Sequence, residues 1–427
     1  RQHARSVWRC FAPVLAMVIL LARFSIRRAL LPATLILLAL AVIAIDDGSI
    51  LGGVRPFDGG DDGLAYDGLG RITLRHLLAG DFWNFLRGGE SVYWYAPGLR
   101  YFRALEHIAF GESYLGYLSL ILALPFIVLA LFRRFLPERW SLALVLLFVA
   151  VPVGVLFGTS FVQYEKWAAR GFADPAAYIL FFAGILPIIG TTGAGPDRTF
   201  IRAFFGALLL ALAIFMKPVV AVAAAVLLGG AGLASLYRGE WRRLAGLCIG
   251  FLPVFSMALH NWVYGHVFLL FSSNAQEPQV LVMPPSAYLA AARELLNLDF
   301  SGAGRVLTQI ANWLSGPAES YATVPLNAAG IAILVYVVAR GRRFDPWLRL
   351  LGAAALAQHA VALFFRGDVA RYHLLSWFLT AVVVMAFLHE VGIDWLRRRY
   401  PEAESLANHP LPLWLASGLA RLQKSAA

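Results

Sequence analysis

The sequence predicts an all-α polytopic membrane protein with about ten transmembrane helices and with interfacial helices in a large first outer loop. Of its 427 residues, 60% are hydrophobic and only 14% are charged, whereas a soluble domain carries about 25% charged residues. The apolar residues form runs of span length, separated by short clusters of arginine. This composition excludes a soluble enzyme, a disordered regulator and a fibrous protein. Two cysteines are too few for a disulfide scaffold.

Ten apolar runs are candidates for membrane spans, each of which needs about 20 mostly apolar residues. Their predicted bounds are 29–45, 114–132, 141–158, 175–191, 203–216, 219–237, 244–260, 321–339, 349–365 and 374–390. The fifth and sixth runs form one apolar stretch that is too long for a single span. Lys217-Pro218 interrupts this stretch, and a charge followed by proline predicts a break between two helices.

The chain divides into three parts around these spans. Residues 1–28 form a predicted cytoplasmic segment, in which the short apolar run 11–22 is expected to lie as a helix at the membrane interface. Residues 29–390 form the transmembrane domain, with outer loops at 46–113 and 261–320. Residues 391–427 form a predicted cytoplasmic tail.

The distribution of charge predicts the orientation of the chain. Ten spans place both termini on one side, and the segments on that side hold 23 Lys and Arg residues against 13 on the other side. The Asp and Glu residues divide in the opposite sense, 8 against 17. Because arginine-rich loops stay in the cytoplasm, the acid-rich loops are expected to face the periplasm. The net charge of +11 is therefore attributed to residues that orient the chain in the membrane, and not to a nucleic-acid-binding surface.

The first outer loop contains an acidic turn. Asp58, Asp61, Asp62 and Asp67 fall within ten residues, among several glycines. Such a turn is either a solvated surface feature or a general base or hard-cation site at the mouth of a membrane cavity. Ionisable residues are few near mid-span, where His359 is the clearest. The polar chemistry is therefore expected at the outer ends of the spans and not along a conduction path.

Two stretches of the same loop, 65–79 and 99–110, are predicted to be amphipathic helices. The apolar residues of the second recur every three positions, at Leu99, Phe102, Leu105 and Ile108. Helices of this kind lie in the plane of the interface with their apolar face toward lipid. The aromatic residues 93–95 between them suit the level of the lipid headgroups. The loop is expected to form a lid of interfacial helices that carries the acidic turn.

In these features the chain resembles the GT-C glycosyltransferases, polytopic enzymes that take a sugar from a polyprenyl-phosphate donor. The matching motifs are Asp61-Asp62 followed by Tyr66, Tyr95-Ala96-Pro97-Gly98, Phe110-Gly111, Asp174-Pro175, Lys217-Pro218 and Arg371-Tyr372. The stretch around Pro97 departs from the usual Pro-Pro-Leu of the family. Within the family, the chain is most similar to lipid A aminoarabinose transferases and protein O-mannosyltransferases.

The resemblance implies a glycosyltransferase in the bacterial inner membrane, with its active site facing the periplasm. Asp61 or Asp62 is expected to be the base of an inverting displacement, and the donor phosphate is expected to bind Lys217, Arg371 and Arg366. The expected substrate-binding residues are Tyr66, Tyr95, Asp174, Tyr372 and His260. The expected partners are a polyprenyl-phosphate-linked sugar, membrane lipids, and a lipid, glycan or protein acceptor, with no nucleic acid.

Several of these residues also have a plain structural interpretation. Lys217 can extend to the lipid headgroups, Arg366 and Arg371 can pair with Asp368, and Asp174 can cap the helix that follows it. The oxygen ligands of the acidic turn suit Mg²⁺ or Ca²⁺, so a divalent cation is a possible ligand of this turn. No cofactor is expected to be required.

Three other functions compete with this one. A lipid-linked glycan polymerase or ligase would share the arginines of the outer loops, although the acidic pair is less expected there. A lipid transporter or flippase would need mid-span ionisable residues and repeat symmetry, and the sequence shows little of either. A non-enzymatic membrane scaffold would retain the motifs without using them.

Overall fold

The fold was analysed in a computed structural model, which describes residues 30–46, 61–152, 154, 156–190, 196–270, 283–340, 343–364 and 370–399. The regular elements of these residues are helices. They are α1 (Leu30–Asp46), α2 (Asp61–Leu78), α3 (Phe82–Arg87), α4 (Gly98–Phe110), α5 (Leu115–Phe135), α6 (Glu138–Ala150), α7 (Phe161–Ala169), α8 (Asp174–Ile189), α9 (Pro196–Met216), α10 (Ala221–Tyr237), α11 (Trp241–Phe251), α12 (Ser256–Gly265), α13 (Pro285–Leu296), α14 (Phe300–Ser315), α15 (Val324–Ala339), α16 (Pro346–Phe364) and α17 (Ala370–Arg399). The prediction of an all-α fold is confirmed.

Seven of the helical segments are long and apolar enough to cross a membrane, so the chain is a multi-pass membrane protein. They comprise α5, α9, α10, the continuous stretch Trp241–Gly265, and the segments that contain α15, α16 and α17. Two of the other predicted spans correspond to the shorter apolar helices α1 and α8. The predicted segments 1–28, most of 391–427, and residues 47–60 lie outside the described residues.

The predicted span 141–158 is wrong at its carboxyl end, because α6 stops at Ala150. Pro152 lies two residues later and disfavours helical backbone at the residue before it. The chain then turns through Phe157, whose φ of 54° is unusual for a residue other than glycine. The Phe157 ring stacks on Trp377 at a centroid distance of 6.3 Å. Non-helical backbone is tolerated at membrane depth only where protein covers it, and Leu156, Phe157 and Thr159 of this segment are buried.

The core of the bundle surrounds α8. This helix is apolar on all sides and buried over most of its surface, as expected of a helix in the interior. It packs against α5, α7, α9 and α17. The break predicted at Lys217-Pro218 is present: α9 ends at Met216, and a 3₁₀ turn at Pro218–Val220 leads into α10. Beyond this break α10 packs against α16, so the two halves of the apolar stretch have different neighbours.

The two predicted lid helices are present as α2 and α4, which pack against each other. In α4 the charged residues Arg100, Arg103 and Glu106 are buried, whereas Leu105 and Ile108 are 60% and 51% exposed. The helix therefore turns Arg100, Arg103 and Glu106 toward the protein and leaves Leu105 and Ile108 on the outside, whereas Leu99 of the predicted apolar face is buried. This arrangement suits an interfacial helix whose outer surface meets lipid.

Candidate functional site

Four charged side chains from distant parts of the chain meet at helix ends that are predicted to face outward. Arg371 links two of the acids, with its Nη2 3.5 Å from Oδ2 of Asp62 and its Nε 3.5 Å from Oδ2 of Asp174. Lys217 completes the group, with its Nζ 3.9 Å from the same Oδ2 of Asp174. These residues form the outer charge cluster. Four predicted site residues, Asp62, Asp174, Lys217 and Arg371, thus lie together.

Helix termini place these side chains. Asp62 is the second residue of α2, Asp174 the first residue of α8 and Arg371 the second residue of α17, while Lys217 precedes the 3₁₀ turn at Pro218. The alternative interpretation of Asp174 as a helix cap is wrong, because Ala173 is the N-cap of α8 and the side chain of Asp174, the first helical residue, accepts no capping hydrogen bond from the described residues. Because helix N-termini present free N–H groups and positive partial charge, their convergence favours a bound anion.

Asp174 gives the clearest indication that the site can accept a ligand. Its side chain is fully buried, yet neither carboxylate oxygen has a hydrogen bond from any described residue. Its ion pairs to Arg371 and Lys217, at 3.5 and 3.9 Å, are longer than charge-assisted hydrogen bonds. Buried polar groups are normally satisfied, so a cluster with this much free bonding capacity can accept a hydrogen-bond donor from a ligand.

Aromatic rings line the cluster. The Arg371 guanidinium lies 4.2 Å from the ring centroid of Phe172, 5.1 Å from that of Tyr372 and 5.5 Å from that of Trp167. The Lys217 ammonium lies 5.4 Å from the centroid of Tyr372. Cation–π contacts of this kind fix the position of a charge without neutralising it. The predicted residue Tyr372 is therefore part of the cluster, whereas Trp167 and Phe172 were not predicted.

The buried hydroxyl of Tyr66 faces the same charges. Burial raises its pKa to about 12, an effect that Lys217 opposes and that Asp174 and Asp62 reinforce. For Lys217, burial disfavours the ammonium, but Asp174, Tyr372 and Tyr66 outweigh burial and raise its pKa. At neutral pH the cluster thus holds a neutral phenol, which is a hydrogen-bond donor, beside a permanent cation.

A close contact between two backbones fixes the acidic end of α2. A Cβ atom added to Gly63 would overlap the carbonyl oxygen of Arg170 and come within 3.1 Å of the Gly171 Cα. Gly171 has a φ of +74°, and a Cβ there would lie 2.7 Å from the Tyr114 hydroxyl. The glycine after the acidic pair therefore lets Asp62 approach Arg371.

A buried polar network holds α2 on α4. Asp67 is the centre of this network and is 1% exposed. One of its oxygens accepts from Arg103 Nη2 at 3.0 Å and lies 3.1 Å from His107 Nε2, while the other accepts from Arg71 Nε at 2.8 Å. Arg103 also pairs with Glu106, one oxygen of which accepts from the backbone N–H of Tyr117. The network links both lid helices to the start of α5.

The predicted residues Tyr95, in the first outer loop, and His260, in α12, lie outside the charge cluster itself. The Tyr95 ring is 6.3 Å from that of Tyr66, so it lies one ring away from the cluster. His260 stacks on Tyr93 at 3.7 Å, and its ring nitrogens lie 3.0 Å from the Arg87 carbonyl oxygen and from Oδ1 of Asn261. Both nitrogens of His260 are therefore engaged by protein atoms.

The side chains of three predicted residues, Asp58, Asp61 and Arg366, lie outside the described residues. Within the described part of the chain, no three His, Cys, Asp or Glu side chains are placed to hold a metal ion. The two carboxylates that converge, Asp62 and Asp174, both approach Arg371. Because Asp58 and the side chain of Asp61 lie outside the described residues, the Mg²⁺ or Ca²⁺ site suggested by the acidic turn stays a prediction, and we derive no step through a metal.

Comparisons with known proteins give one structural likeness. No protein-family model matches the chain, and no curated protein matches it. Among solved structures, the chain is similar to the archaeal oligosaccharyltransferase AglB from Archaeoglobus fulgidus in complex with an inhibitory peptide and a dolichol-phosphate. The alignment covers 93% of this chain but only 54% of that one, with 13% identity and a TM-score of 0.43. This score and identity are too low to establish a shared fold, so the site's own geometry has to carry the functional conclusion.

Proposed function

We propose that the protein is a GT-C-type membrane glycosyltransferase that moves a sugar from a polyprenyl-phosphate donor to an acceptor on the periplasmic face of the bacterial inner membrane. The observation that carries this proposal is the outer charge cluster, in which two carboxylates and two cations meet at the mouth of the bundle. The acceptor is a hydroxyl or an amine on a lipid, a glycan or a protein.

The transfer breaks one bond and forms one. The acceptor oxygen or nitrogen attacks the anomeric carbon of the sugar, and the electron pair of the carbon–oxygen bond leaves with the lipid phosphate. Attack from the opposite face inverts the configuration at that carbon. The proton of the acceptor passes to a carboxylate, for which Asp62 is suited because its side chain is 29% exposed and so remains accessible.

The cations act on the leaving group. As the bond breaks, the phosphate gains negative charge, and fixed cations beside it lower the barrier. Arg371 and Lys217 fill this role, since the guanidinium fork matches phosphate oxygens and the Lys217 pKa is raised. Asp174 is fully buried and holds both cations in place. Tyr66 and Tyr372 contribute their hydroxyls to the sugar or the phosphate.

The proposal is tested by measuring donor binding. Native mass spectrometry of the detergent-purified full chain, titrated with polyprenyl phosphate, should show saturable one-to-one binding. Lys217→Ala and Arg371→Ala should each weaken this binding about tenfold or more, because each removes a charged partner of the phosphate. Arg293→Ala removes an exposed cation of α13 and should leave the affinity unchanged. Binding no stronger than that of phosphatidylglycerol would overturn the proposal in favour of a transporter or a scaffold.

A further inference from the structure

A cavity between α10 and α16 lies at the opposite end of the bundle from the outer charge cluster. Its volume is about 300 Å³, and its lining includes Gly230, Ala234, Arg238, Trp347, Arg349 and Leu350. We call this cavity the arginine pocket. Lys217 lies just before the 3₁₀ turn that leads into α10, and Arg238 directly follows that helix. Because α10 has 17 residues and is about 25 Å long, the arginine pocket is a separate site.

Arg349 brings to the pocket a cation that has no acidic partner among the described residues. Its Nε is buried but donates no hydrogen bond to any of them. Asp345, one helical turn earlier, is engaged elsewhere. One of its oxygens accepts from the backbone N–H of Trp347 at 2.7 Å, and the other lies 3.5 Å from Nη2 of Arg134. Buried polar atoms are normally satisfied, so the free Nε indicates a place for a ligand.

Arg238 adds a second cation at the end of α10. Its Nη1 lies 4.0 Å from Oε1 of Glu240, which is beyond the length of a hydrogen bond. The other oxygen of Glu240 accepts from Nη1 of Arg243 at 3.1 Å. Since a long ion pair at an exposed position contributes little to stability, Arg238 is available to a ligand. The two arginines thus give the pocket an excess of positive charge.

The residues around Arg238 place the pocket at the level of the lipid headgroups. Tyr237 and Trp241, on either side of Arg238 in the sequence, are both exposed, and exposed aromatic residues at the end of a span are typical of the membrane interface. The segments 238–243 and 340–349 are rich in arginine, so this end of the bundle is predicted to be cytoplasmic.

The rest of the lining is largely apolar and includes Ala234 and Leu350. Gly230 brings α10 close to α16, since a Cβ atom added there would overlap a methyl group of Leu350. The ring of Trp347 is buried, with the Arg243 guanidinium 4.8 Å from its centroid. A ligand that matches both parts of this lining combines an anion with an apolar segment. A soluble phosphate would use the cations alone.

We infer that the arginine pocket binds the headgroup of an anionic phospholipid from the inner leaflet, with Arg238 and Arg349 contacting its phosphate. The guanidinium fork matches phosphate oxygens, and basic pockets between membrane helices on the cytoplasmic side suit anionic headgroups. The first carbons of the acyl chains then lie against Ala234 and Leu350. The inference does not depend on the proposed glycosyltransferase function, because the pocket shares no residue with the outer charge cluster.

The test measures lipid binding to the detergent-purified full chain by native mass spectrometry. The probes are phosphatidylglycerol and phosphatidylcholine with the same acyl chains, of which only the first has a net charge. Wild type should bind phosphatidylglycerol about tenfold more tightly, the ratio expected for one charge-assisted hydrogen bond. Arg238→Gln and Arg349→Gln should each reduce this ratio, and the double variant should bring it to one. Arg198→Gln, at an exposed position of α9 on the same predicted side, should preserve it.

A second variant blocks the pocket without removing a charge. Ala234→Phe fills the apolar part of the lining and should weaken phosphatidylglycerol binding, whereas Leu233→Phe, at an exposed neighbouring position, should not. Melting temperatures measured without added lipid confirm that each variant is folded. Soluble glycerol phosphate should not displace the lipid, because it has no apolar segment. Displacement at equal concentrations would show that the pocket takes a free phosphate and would overturn the lipid assignment.

The two sites can be separated by their variants. Lys217→Ala and Arg371→Ala should leave the preference for phosphatidylglycerol unchanged. Equal wild-type affinities for the two phospholipids, or an unchanged preference in the Arg238→Gln, Arg349→Gln double variant, would overturn this inference and leave the proposed function intact. Conversely, polyprenyl phosphate binding that is unaffected by Lys217→Ala and Arg371→Ala would count against the proposed function alone.

Discussion

At the scale of single residues, the site depends on carboxylates whose surroundings differ. Asp62 is partly exposed, with a single long ion pair to Arg371, whereas Asp174 is fully buried beside two cations. A partly exposed carboxylate can receive a proton from a substrate, and a buried one between cations is better suited to hold charge in place. Neutralising Asp62 and neutralising Asp174 are therefore expected to have different effects on the protein.

Neutralising Asp62 should abolish turnover and preserve donor binding. Asp62→Asn removes the proposed base, and a general base typically contributes about 10²–10⁴-fold to the rate. The measurement is single-turnover sugar transfer, alongside native mass spectrometry of polyprenyl phosphate binding. Asp81→Asn is the control, because Asp81 caps α3 through its side chain and asparagine retains that cap. Unchanged turnover in Asp62→Asn would remove Asp62 from the mechanism.

Neutralising Asp174 should lower stability. Removing one partner of a buried ion pair leaves an uncompensated charge and costs about 3–5 kcal/mol, so Asp174→Asn should reduce the melting temperature markedly. Asp299→Asn is a matched change on the exposed N-cap of α14, where asparagine still caps and little change is expected. Equal melting temperatures for Asp174→Asn and wild type would show that the carboxylate does not stabilise the two cations.

The stability of the folded protein should also fall at alkaline pH, because Tyr66 ionises there. The pKa of this phenol is raised from 10.0 to about 12, so folding favours its neutral form. The contribution is complete below pH 10 and is lost as the pH rises toward 12, with a slope of up to about 1.4 kcal/mol per pH unit. The melting temperature, measured between about pH 8 and pH 12, should therefore fall less steeply with pH for Tyr66→Phe than for wild type. Tyr237→Phe, at a 94% exposed position, should behave as wild type, and identical declines for all three proteins would contradict this account.

At the scale of elements, α2 owes its position to one glycine and one aspartate. Gly63 allows its backbone to touch that of Arg170 and Gly171, and Asp67 anchors the same helix to α4 through Arg103 and His107. Asp62 immediately precedes the first of these two anchors along the chain. The sequence shows the glycine and the aspartate but not their partners, which come from α7 and α4.

Two alanine substitutions in α2 should have opposite effects. Gly63→Ala introduces a Cβ that overlaps the Arg170 carbonyl oxygen, whereas a Cβ on Gly68 meets nothing within 4 Å. Gly68→Ala should stabilise the helix by about 0.5–1 kcal/mol, and Gly63→Ala should lower both the melting temperature and the transfer rate. A Gly63→Ala protein as stable and as active as Gly68→Ala would mean that α2 does not need this close approach.

The sequence predicts the elements better than it predicts the site. The positions of α2, α4 and the break at Lys217 follow from periodicity and from proline, which act locally. The end of α6 at Ala150 was missed because the run 141–158 remains apolar after Pro152 ends the helix. Asp62 was identified in the acidic turn of the first outer loop, and Asp174, Lys217 and Arg371 were identified at the outer ends of predicted spans. Trp167 and Phe172 were missed because aromatic residues at such ends usually serve as interfacial anchors.

At the scale of the whole molecule, the arrangement of helices puts the outer charge cluster on one side of the membrane. Asp62, Asp174, Lys217 and Arg371 come together at the same end of the bundle. Buried His359 does not join them, since Trp313 Nε1 donates to its Nδ1 at 3.0 Å and its Nε2 lies 2.8 Å from Thr380 Oγ1. A mid-span histidine engaged on both nitrogens is a packing residue and not part of a relay.

The predicted orientation can be measured with cysteine labelling. In a background without Cys10 and Cys248, Ser113→Cys at the start of the second predicted span should react with a membrane-impermeant maleimide in intact spheroplasts. Glu138→Cys, after α5, should react only once the membrane is opened, because the arginine-rich loops are predicted to be cytoplasmic. The reverse pattern would place the outer charge cluster in the cytoplasm and would rule out a periplasmic acceptor.

The separation of the site residues along the chain has a consequence for biosynthesis. The ion pair between Asp62 and Arg371 joins residues 309 positions apart, so the outer charge cluster can be completed only after α17 has left the ribosome. Asp174 and Lys217 can meet while the carboxyl-terminal helices are still unmade, and the two acids then await the guanidinium that binds them both. A ribosome that stops before residue 370 would release an inserted and partly assembled bundle without the cation that its acids share, so the cluster is incomplete until α17 enters the bilayer.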